Sequence, residues 1–284
     1  MGYWLTQLTR IFETAIPAMG AHLAIVVSNI FFLGIPVMFA LSAYAMVILQ
    51  VHGLSLLLSV LIALLIVVLA SLIFVTAYLK LSADSFTVFS LASVLAFDAI
   101  LKSWDSLTGG VLGIAGINRP DFASSLGQLA LLQFVLTLFI ILLEYIILKT
   151  QFGRALLAMK ENKYIVESFG FSTKRLGAYV IVISSFVAAL GGIIAIWRIR
   201  FLDPNFGGMM LLIQLATIAI VAAKPKVRWL SWSTIVIVLL PETLRFFSLP
   251  PSIVGNLRNL LYSLLLIVII KGISKTLMPQ KRFI

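Results

Sequence analysis

The sequence predicts an all-α fold: a polytopic transmembrane helical bundle, one domain over residues 1–284, with about eight or nine membrane segments, some of them broken or re-entrant. Three observations predict it. The chain is 62% hydrophobic and only 11% charged, where a water-soluble domain carries about 25% charged residues. Apolar runs of roughly 20 residues recur from one end to the other. The 21 Lys and Arg residues crowd into a few of the connections between those runs, the asymmetry that orients loops across a bilayer.

Residues 1–14 mix Trp4, Leu5, Leu8, Ile11 and Phe12 with Gln7, Arg10 and Glu13. Leu5, Leu8 and Phe12 share one helical face, so a short interfacial helix is expected. No basic start with an apolar core and a small-residue cleavage site is present, so no cleaved signal peptide is read here. The region Ile16–Val51 is too long for one span and short for two. Gly34 and Pro36 divide it into Ile16–Leu33 and Ile35–Gln50. Two readings stand: a broken membrane helix whose freed backbone groups face a pathway, or a tight hairpin between ordinary spans.

Leu54–Leu79, almost free of polarity, is expected to face lipid. A turn, Lys80–Asp84, leads to a weaker helix, Phe86–Leu101, in which Asp98 is placed to pair with Lys102 at i+4. The loop Lys102–Phe122 follows. The span Ala123–Leu148 carries Glu144, expected to pair with Lys149 or to snorkel. After a basic connector come Leu176–Trp197, a link with Arg198, Arg200, Asp203 and Pro204, and a short span, Met209–Ala223. Lys224, Lys226 and Arg228 precede the spans Leu230–Phe246 and Leu257–Ile273, and Lys271, Lys275, Lys281 and Arg282 close the chain.

Placing Lys149–Arg175 in the cytoplasm puts Lys224–Arg228 and the C-terminus there too. Those regions hold 13 of the 21 basic residues, against six (Lys102, Arg119, Arg198, Arg200, Arg245, Arg258) on the other side. A multi-pass plasma-membrane protein with a cytoplasmic C-terminus is expected; the side of the N-terminus depends on how the divided first region is counted. The net charge of +11 follows from these loops, so nucleic acid is not the expected partner. With no cysteine, disulfides and thiolate metal sites are excluded. His22 and His52 make no metal motif, and no phosphate-binding G-x-x-x-x-G-K-[ST] or nucleophile G-x-S-x-G occurs. Neither an enzyme nor a chain that hydrolyses ATP by itself is expected.

Two stretches carry the functional reading. Lys149–Arg175, K-T-Q-F-G-R-A-L-L-A-M-K-E-N-K-Y-I-V-E-S-F-G-F-S-T-K-R, is the longest polar interruption in the chain. At 100° per residue, Ala155, Met159, Asn162, Val166 and Phe169 fall on one mostly apolar helical face, and Gly170 sits at a helix stop. It reads as a solvated, topology-fixing connector or as a helix that docks into another protein. The second stretch, S-W-D-S-L-T-G-G-V-L-G-I-A-G-I-N-R-P (Ser103–Pro120), holds Gly109, Gly110, Gly113 and Gly116 beside Trp104. It reads as a flexible external loop or as an ordered loop re-entering at the membrane surface.

Phe152–Phe171 resembles the cytoplasmic loop of permease subunits of branched-chain amino-acid ABC importers, a family that also includes urea permeases; the usual form is F-G-R-A-L-R-A-I-R-E-N, then A-E-A-L-G-I. Trp104, Ser106, Leu107, Thr108, Gly109, Gly110, Gly113, Gly116 and Ile117 match that family's N-W-x-S-L-T-G-G-x-x-G-L-x-G-I-P signature. Weaker matches lie at Ser28–Tyr44, Tyr179–Ala195 and Pro241–Arg245, so the likeness covers roughly residues 20 to 275. One departure stands out: where the family carries G-G-x-G-[ST]-x-x-G-P, this chain has V-A-A-K-P-K-V-R-W-L-S.

The resemblance implies a permease subunit in a bacterial inner membrane, with 149–175 as the ATPase-coupling loop and Phe152, Gly153, Arg154, Ala155, Met159, Glu161, Asn162, Glu167 and Gly170 as coupling residues. Pathway candidates are Asn29, Ser42, Tyr44, Trp104, Thr108, Gly109 and Gly110. The implied partners are a second permease subunit, two ATP-binding subunits, an extracytoplasmic solute-binding protein and membrane lipid. ATP and Mg²⁺ would belong to the ATP-binding subunits, with no cofactor in this chain. The implied solute is a branched-chain or other amino acid, with urea as the alternative. An ion-coupled secondary transporter using Asp98 or Glu144, and a scaffold without transport, are the competing classes.

Overall fold

The computed structural model describes residues 2–117 and 119–242, and residues 257, 260, 263, 264 and 267. The end of the span Leu230–Phe246, most of the span Leu257–Ile273, and Arg245, Arg258, Lys271, Lys275, Lys281 and Arg282 lie outside the described residues.

Residues 1–14 are not a separate surface helix. α1 (Gly2–Ala21) continues without a break into a π-helical turn, His22–Val27, giving one apolar 26-residue span. The interfacial expectation fails because its polar residues are satisfied inside the protein: Glu13 accepts two 2.6 Å hydrogen bonds from Arg198, and Arg10 pairs with Glu242 at 2.6 Å. Pro17 sits within α1. Its ring costs one backbone bond but packs directly against Gly191.

Between Val27 and α2 (Ile35–Val51) the backbone leaves the helix altogether. Asn29 takes a left-handed conformation at φ 55°, and residues 29–34 have no regular structure. Their polar groups are partly recovered: Ile30 N–H donates to Ala24 O at 2.8 Å and Leu33 N–H to Ser90 Oγ at 3.1 Å. The fully buried Phe32 pins the segment, its ring 5.1 Å from Phe74 and 6.1 Å from Phe86. The chain does reverse here, since α2 runs back to end beside β1, but the link is an irregular stretch over 28–34, packed against α3 and α4, and not a tight turn.

α3 (Leu56–Lys80) exposes Leu57, Leu61, Leu65, Leu69 and Ile73, a stripe at i+4 spacing that fits a lipid-facing helix. α4 (Ala83–Ser103) starts where Ser82 Oγ accepts from Ser85 N–H and is longer than expected. After the short helix α5 (Asp105–Thr108) and a two-residue strand, β1 (Ile114–Ala115), α6 (Leu126–Lys149) opens with a reciprocal capping box between Ser125 and Gln128.

The basic connector folds as α7 (Gln151–Glu161) and α8 (Lys163–Ser168), followed by α9 (Thr173–Ile199), β2 (Phe201–Leu202), α10 (Met209–Ala222) and α11 (Val227–Leu239). β1 and β2 pair antiparallel, Ile114 opposite Leu202.

α9 is the axis of the bundle, packed between α1, α2 and α3. Lipid is as apolar as leucine, so helices here associate through close packing rather than water exclusion. The small residues supply that closeness. A Cβ on Gly20 would stand 2.7 Å from Ser184 O, one on Gly192 would strike the Phe39 carbonyl, and one on Gly177 the Tyr78 ring. The Ala188–Gly192 face is thus spent on contacts within this chain. Ser42 Oγ adds a 2.9 Å bond to Ala189 O across α2 and α9.

These contacts sort the bundle into two ends. α7, α8, the 224–226 turn and the close of the π-helical turn share one, through Lys160–Val26 and His22–Lys224 contacts. Arg198, Glu13, β1 and β2 share the other, and the start of α1 lies there beside Glu242. The side of the N-terminus, undetermined in the sequence, is therefore opposite α7.

Candidate functional site

The single helix expected from Ala155 to Phe169 is broken at Asn162. Asn162 has an extended backbone (φ −155°, ψ 115°), and its Oδ1 accepts from Tyr164 N–H at 2.9 Å, capping α8. Asparagine competes with helix by bonding its neighbouring backbone, and here that competition won. The common face splits accordingly. Ala155, Met159 and Val166 are buried, while Asn162 and Phe169 are exposed, Phe169 at 76%.

The turn into α7 depends on Gly153. A Cβ there would meet Leu148 Cα at 2.5 Å and Ile147 O closer still, while Thr150 Oγ1 accepts from Gly153 N–H at 3.2 Å. The exit from α8 is a Schellman closure: Gly170 at φ 83°, its N–H on Glu167 O at 3.0 Å and Phe171 N–H on Val166 O at 3.2 Å. Glu167 accepts a 2.6 Å bond from Thr173 Oγ1, fixing α8 to the start of α9. Phe152 contacts the Tyr179 ring, and Arg154 and Glu161 point to solvent.

The stop signal read at Gly170 is present in the structure. Gly170→Pro is incompatible with a positive φ and removes the N–H that bonds Glu167; it is expected to open the α8–α9 joint, seen as faster proteolysis within 163–175.

An apolar groove of about 340 Å³ runs between the two short helices, lined by Ala155, Ala158, Val166, Phe169 and Phe171, with Gln151 and Arg154 at its edge. Tyr164 (82% exposed) and Ile165 are also left exposed on α8. These aromatic and aliphatic groups sit on short helices at the basic end of the bundle, and none of the described residues covers them.

At the opposite end, the glycine-rich stretch is an ordered turn. Thr108 is buried; its Oγ1 donates to Leu101 O (2.7 Å) or Trp104 O (2.8 Å) and accepts from Gly110 N–H at 3.3 Å. Gly109 and Gly110 have φ 74° and 54°, and a Cβ on Gly110 would overlap the Asp105 carboxylate. Gly113 packs on the Leu202 carbonyl, where β1 meets β2. These glycines and Thr108 build the loop, while Trp104 is half-exposed at its rim. The loop borders a cavity of about 380 Å³ walled by Val47, Gln50, Leu54, Ile117, Arg119 and Asp121. Burial together with the nearby Arg200 and Arg198 guanidiniums pulls the Arg119 pKa down from its ordinary value.

The pathway candidates do not converge on one place. Ser42 Oγ donates to Phe39 O or Ala189 O inside the α2–α9 contact. Tyr44 lies near Asp98 and Asp203, its buried hydroxyl without a hydrogen-bond partner among the described residues. Asn29 is exposed on the irregular connection, toward the α7 end. Trp104, Thr108, Gly109 and Gly110 lie together in the opposite-end loop.

Asp98 pairs with Lys102 at 2.6 Å as the spacing predicts. Glu144 does not pair with Lys149. It meets His22 Nδ1 at 2.6 Å, deep inside the protein, and Lys149 instead lies over the Tyr145 ring. A pair separated by 122 residues leaves no local spacing to read. Sequence reasoning also missed Glu13–Arg198 and the Lys160–Val26 contact for that reason.

A family described as branched-chain amino acid transport system / permease component matches residues 3–270. No curated protein and no solved structure gave a significant match.

Proposed function

The chain belongs to the family of branched-chain amino-acid transport system permease components, and on that premise we propose that it is the membrane subunit of an ATP-driven importer, forming the route for a small neutral or zwitterionic solute, most simply a branched-chain amino acid. In this reading α7 and α8 are the seat of a separate ATP-binding subunit at the cytoplasmic face. A second permease subunit, a second ATP-binding subunit and an extracytoplasmic solute-binding protein complete the assembly, whose plasma-membrane orientation puts the C-terminus inside.

One observation carries this reading. Tyr164, Ile165 and Phe169 are left exposed on and just after α8, and Phe169 lines an apolar groove between α7 and α8. A connector that only set topology would gain nothing from them, whereas exposed aromatics beside a groove fit a docking surface. Buried Val166, the Schellman closure at Gly170 and the Glu167–Thr173 bond hold that surface rigid. The ion-coupled class draws less support, because Asp98 and Glu144 already hold Lys102 and His22.

The test is direct. Tyr164→Asp and Phe169→Asp are expected to leave membrane insertion and thermal stability unchanged within about 0.5 kcal/mol. Capture of the ATP-binding subunits should fall by tenfold or more, about the loss of one interface hot spot. If both variants still assemble and drive nucleotide hydrolysis normally, α8 is not the docking surface.

A further inference from the structure

We infer that the π-helical turn His22–Val27 is the element through which α7 acts on the membrane core, with Lys160 as the link that pulls it and His22 as its fixed point. This rests on the reading of α7 and α8 as the docking seat.

Lys160 is on α7, yet its ammonium does not turn to its acidic neighbour Glu161. It donates a 2.9 Å bond to Val26 O, in the last residues of the π-helical turn. A cation at the carbonyl end of a helix is favourably placed. The Lys160 pKa is lowered by burial, with Glu161 opposing, as expected of a cation drawn out of water to reach a backbone oxygen. The charge is therefore used for a mechanical contact and does more than bias topology.

The other end of the turn is anchored. His22 is completely buried. Its Nε2 lies 3.1 Å from Lys224 O, which can only accept, so Nε2 carries a hydrogen. Its Nδ1 and Glu144 Oε1, 2.6 Å apart, then share one further proton. His22 thus ties α1 at once to α6 and to the connection between α10 and α11.

Between these two tethers the backbone is wound one residue wide: Ser28 N–H bonds Leu23 O at 3.2 Å, an i−5 contact. Such turns are rare and concentrate at functional positions. Tightening this one to α-helical winding would rotate the chain beyond Val27 by roughly 100°. That chain is the irregular segment with Asn29, Phe31 and the wedged Phe32. A shift of α7 applied at Val26 is thereby passed to a segment wedged against α3 and α4.

The chain has no cysteine, so Phe31→Cys, at a half-exposed position of that segment, accepts a single environment-sensitive fluorophore. In the complex with its ATP-binding subunits in lipid nanodiscs, ATP with vanadate is expected to change the fluorescence. Lys160→Met, which keeps the stem and removes the ammonium, should cut that change about tenfold while binding the ATP-binding subunits within about twofold of the parent chain. Lys160→Arg should restore most of it. In the chain alone, Lys160→Met should also speed amide hydrogen exchange over 26–30. A full-size fluorescence change in Lys160→Met, or unaltered exchange, overturns the inference. Loss of subunit capture by Lys160→Met overturns it too, placing Lys160 in the docking surface. If the parent chain captures no ATP-binding subunit, the functional reading itself fails, and this inference with it.

Discussion

Gly192→Ala is expected to cost about 3 kcal/mol or more in folding stability, although it adds one methyl group to a helix. The added carbon would fall on the Phe39 carbonyl oxygen and 2.5 Å from Ser42 Oγ. Neither can yield cheaply. Phe39 O belongs to the α2 backbone, and the Ser42 hydroxyl is wedged between it and Ala189 O, 2.8 and 2.9 Å away, with one proton to donate to either. Relief therefore requires α2 to move off α9, surrendering the close contact that holds these helices together in lipid. Gly127→Ala is the matched comparison, since a Cβ there meets nothing within 4 Å, and alanine is the better helix former. Thermal unfolding of the two purified variants should separate them widely. Equal midpoints would mean that the α2–α9 contact is looser than described.

Glu13→Gln is expected to destabilise by about 3 kcal/mol. Glu13 and Arg198 are largely buried, their side chains 11% and 19% exposed, and make two 2.6 Å hydrogen bonds. The amide can keep one acceptor but no charge. Arg198 would then face Arg119 and Arg200, whose electrostatic reach extends to one another, with its compensating carboxylate gone. Truncating one partner of a buried pair costs more than the pair contributes, because the other charge stays behind. The double variant Glu13→Gln/Arg198→Gln should accordingly recover much of the loss in a thermal-melt cycle. If it is merely additive, the two residues do not act as a pair.

Local rules transferred well where they depended on nearby residues. Asp98–Lys102 at i+4, the stop at Gly170 and the exposed apolar face of Leu54–Leu79 all rest on spacings within a few turns. The same local reading failed at Asn162, where a helical periodicity of apolar residues was overridden by one side chain capping its own backbone. It failed again at 1–14, because Gln7, Arg10 and Glu13 read as surface residues until Arg198 and Glu242 are brought to them by the fold. The candidate site was half legible: the loop proposed for docking and its glycines stood out, but the candidate pathway residues proved to be dispersed, several of them serving helix packing or turn geometry.

The sequence alone determined that this is a helical membrane protein, because lipid demands long apolar runs and basic loops that no folding can hide; its permease-like character was carried by the motifs at 104–117 and 152–171 and by the family match. Only the tertiary structure decided which polar groups in those runs meet: His22 with Glu144, Glu13 with Arg198, Lys160 with Val26. Each joins positions more than 100 residues apart, and in lipid a buried charge takes whatever partner the packing of small-residue helix faces delivers to it.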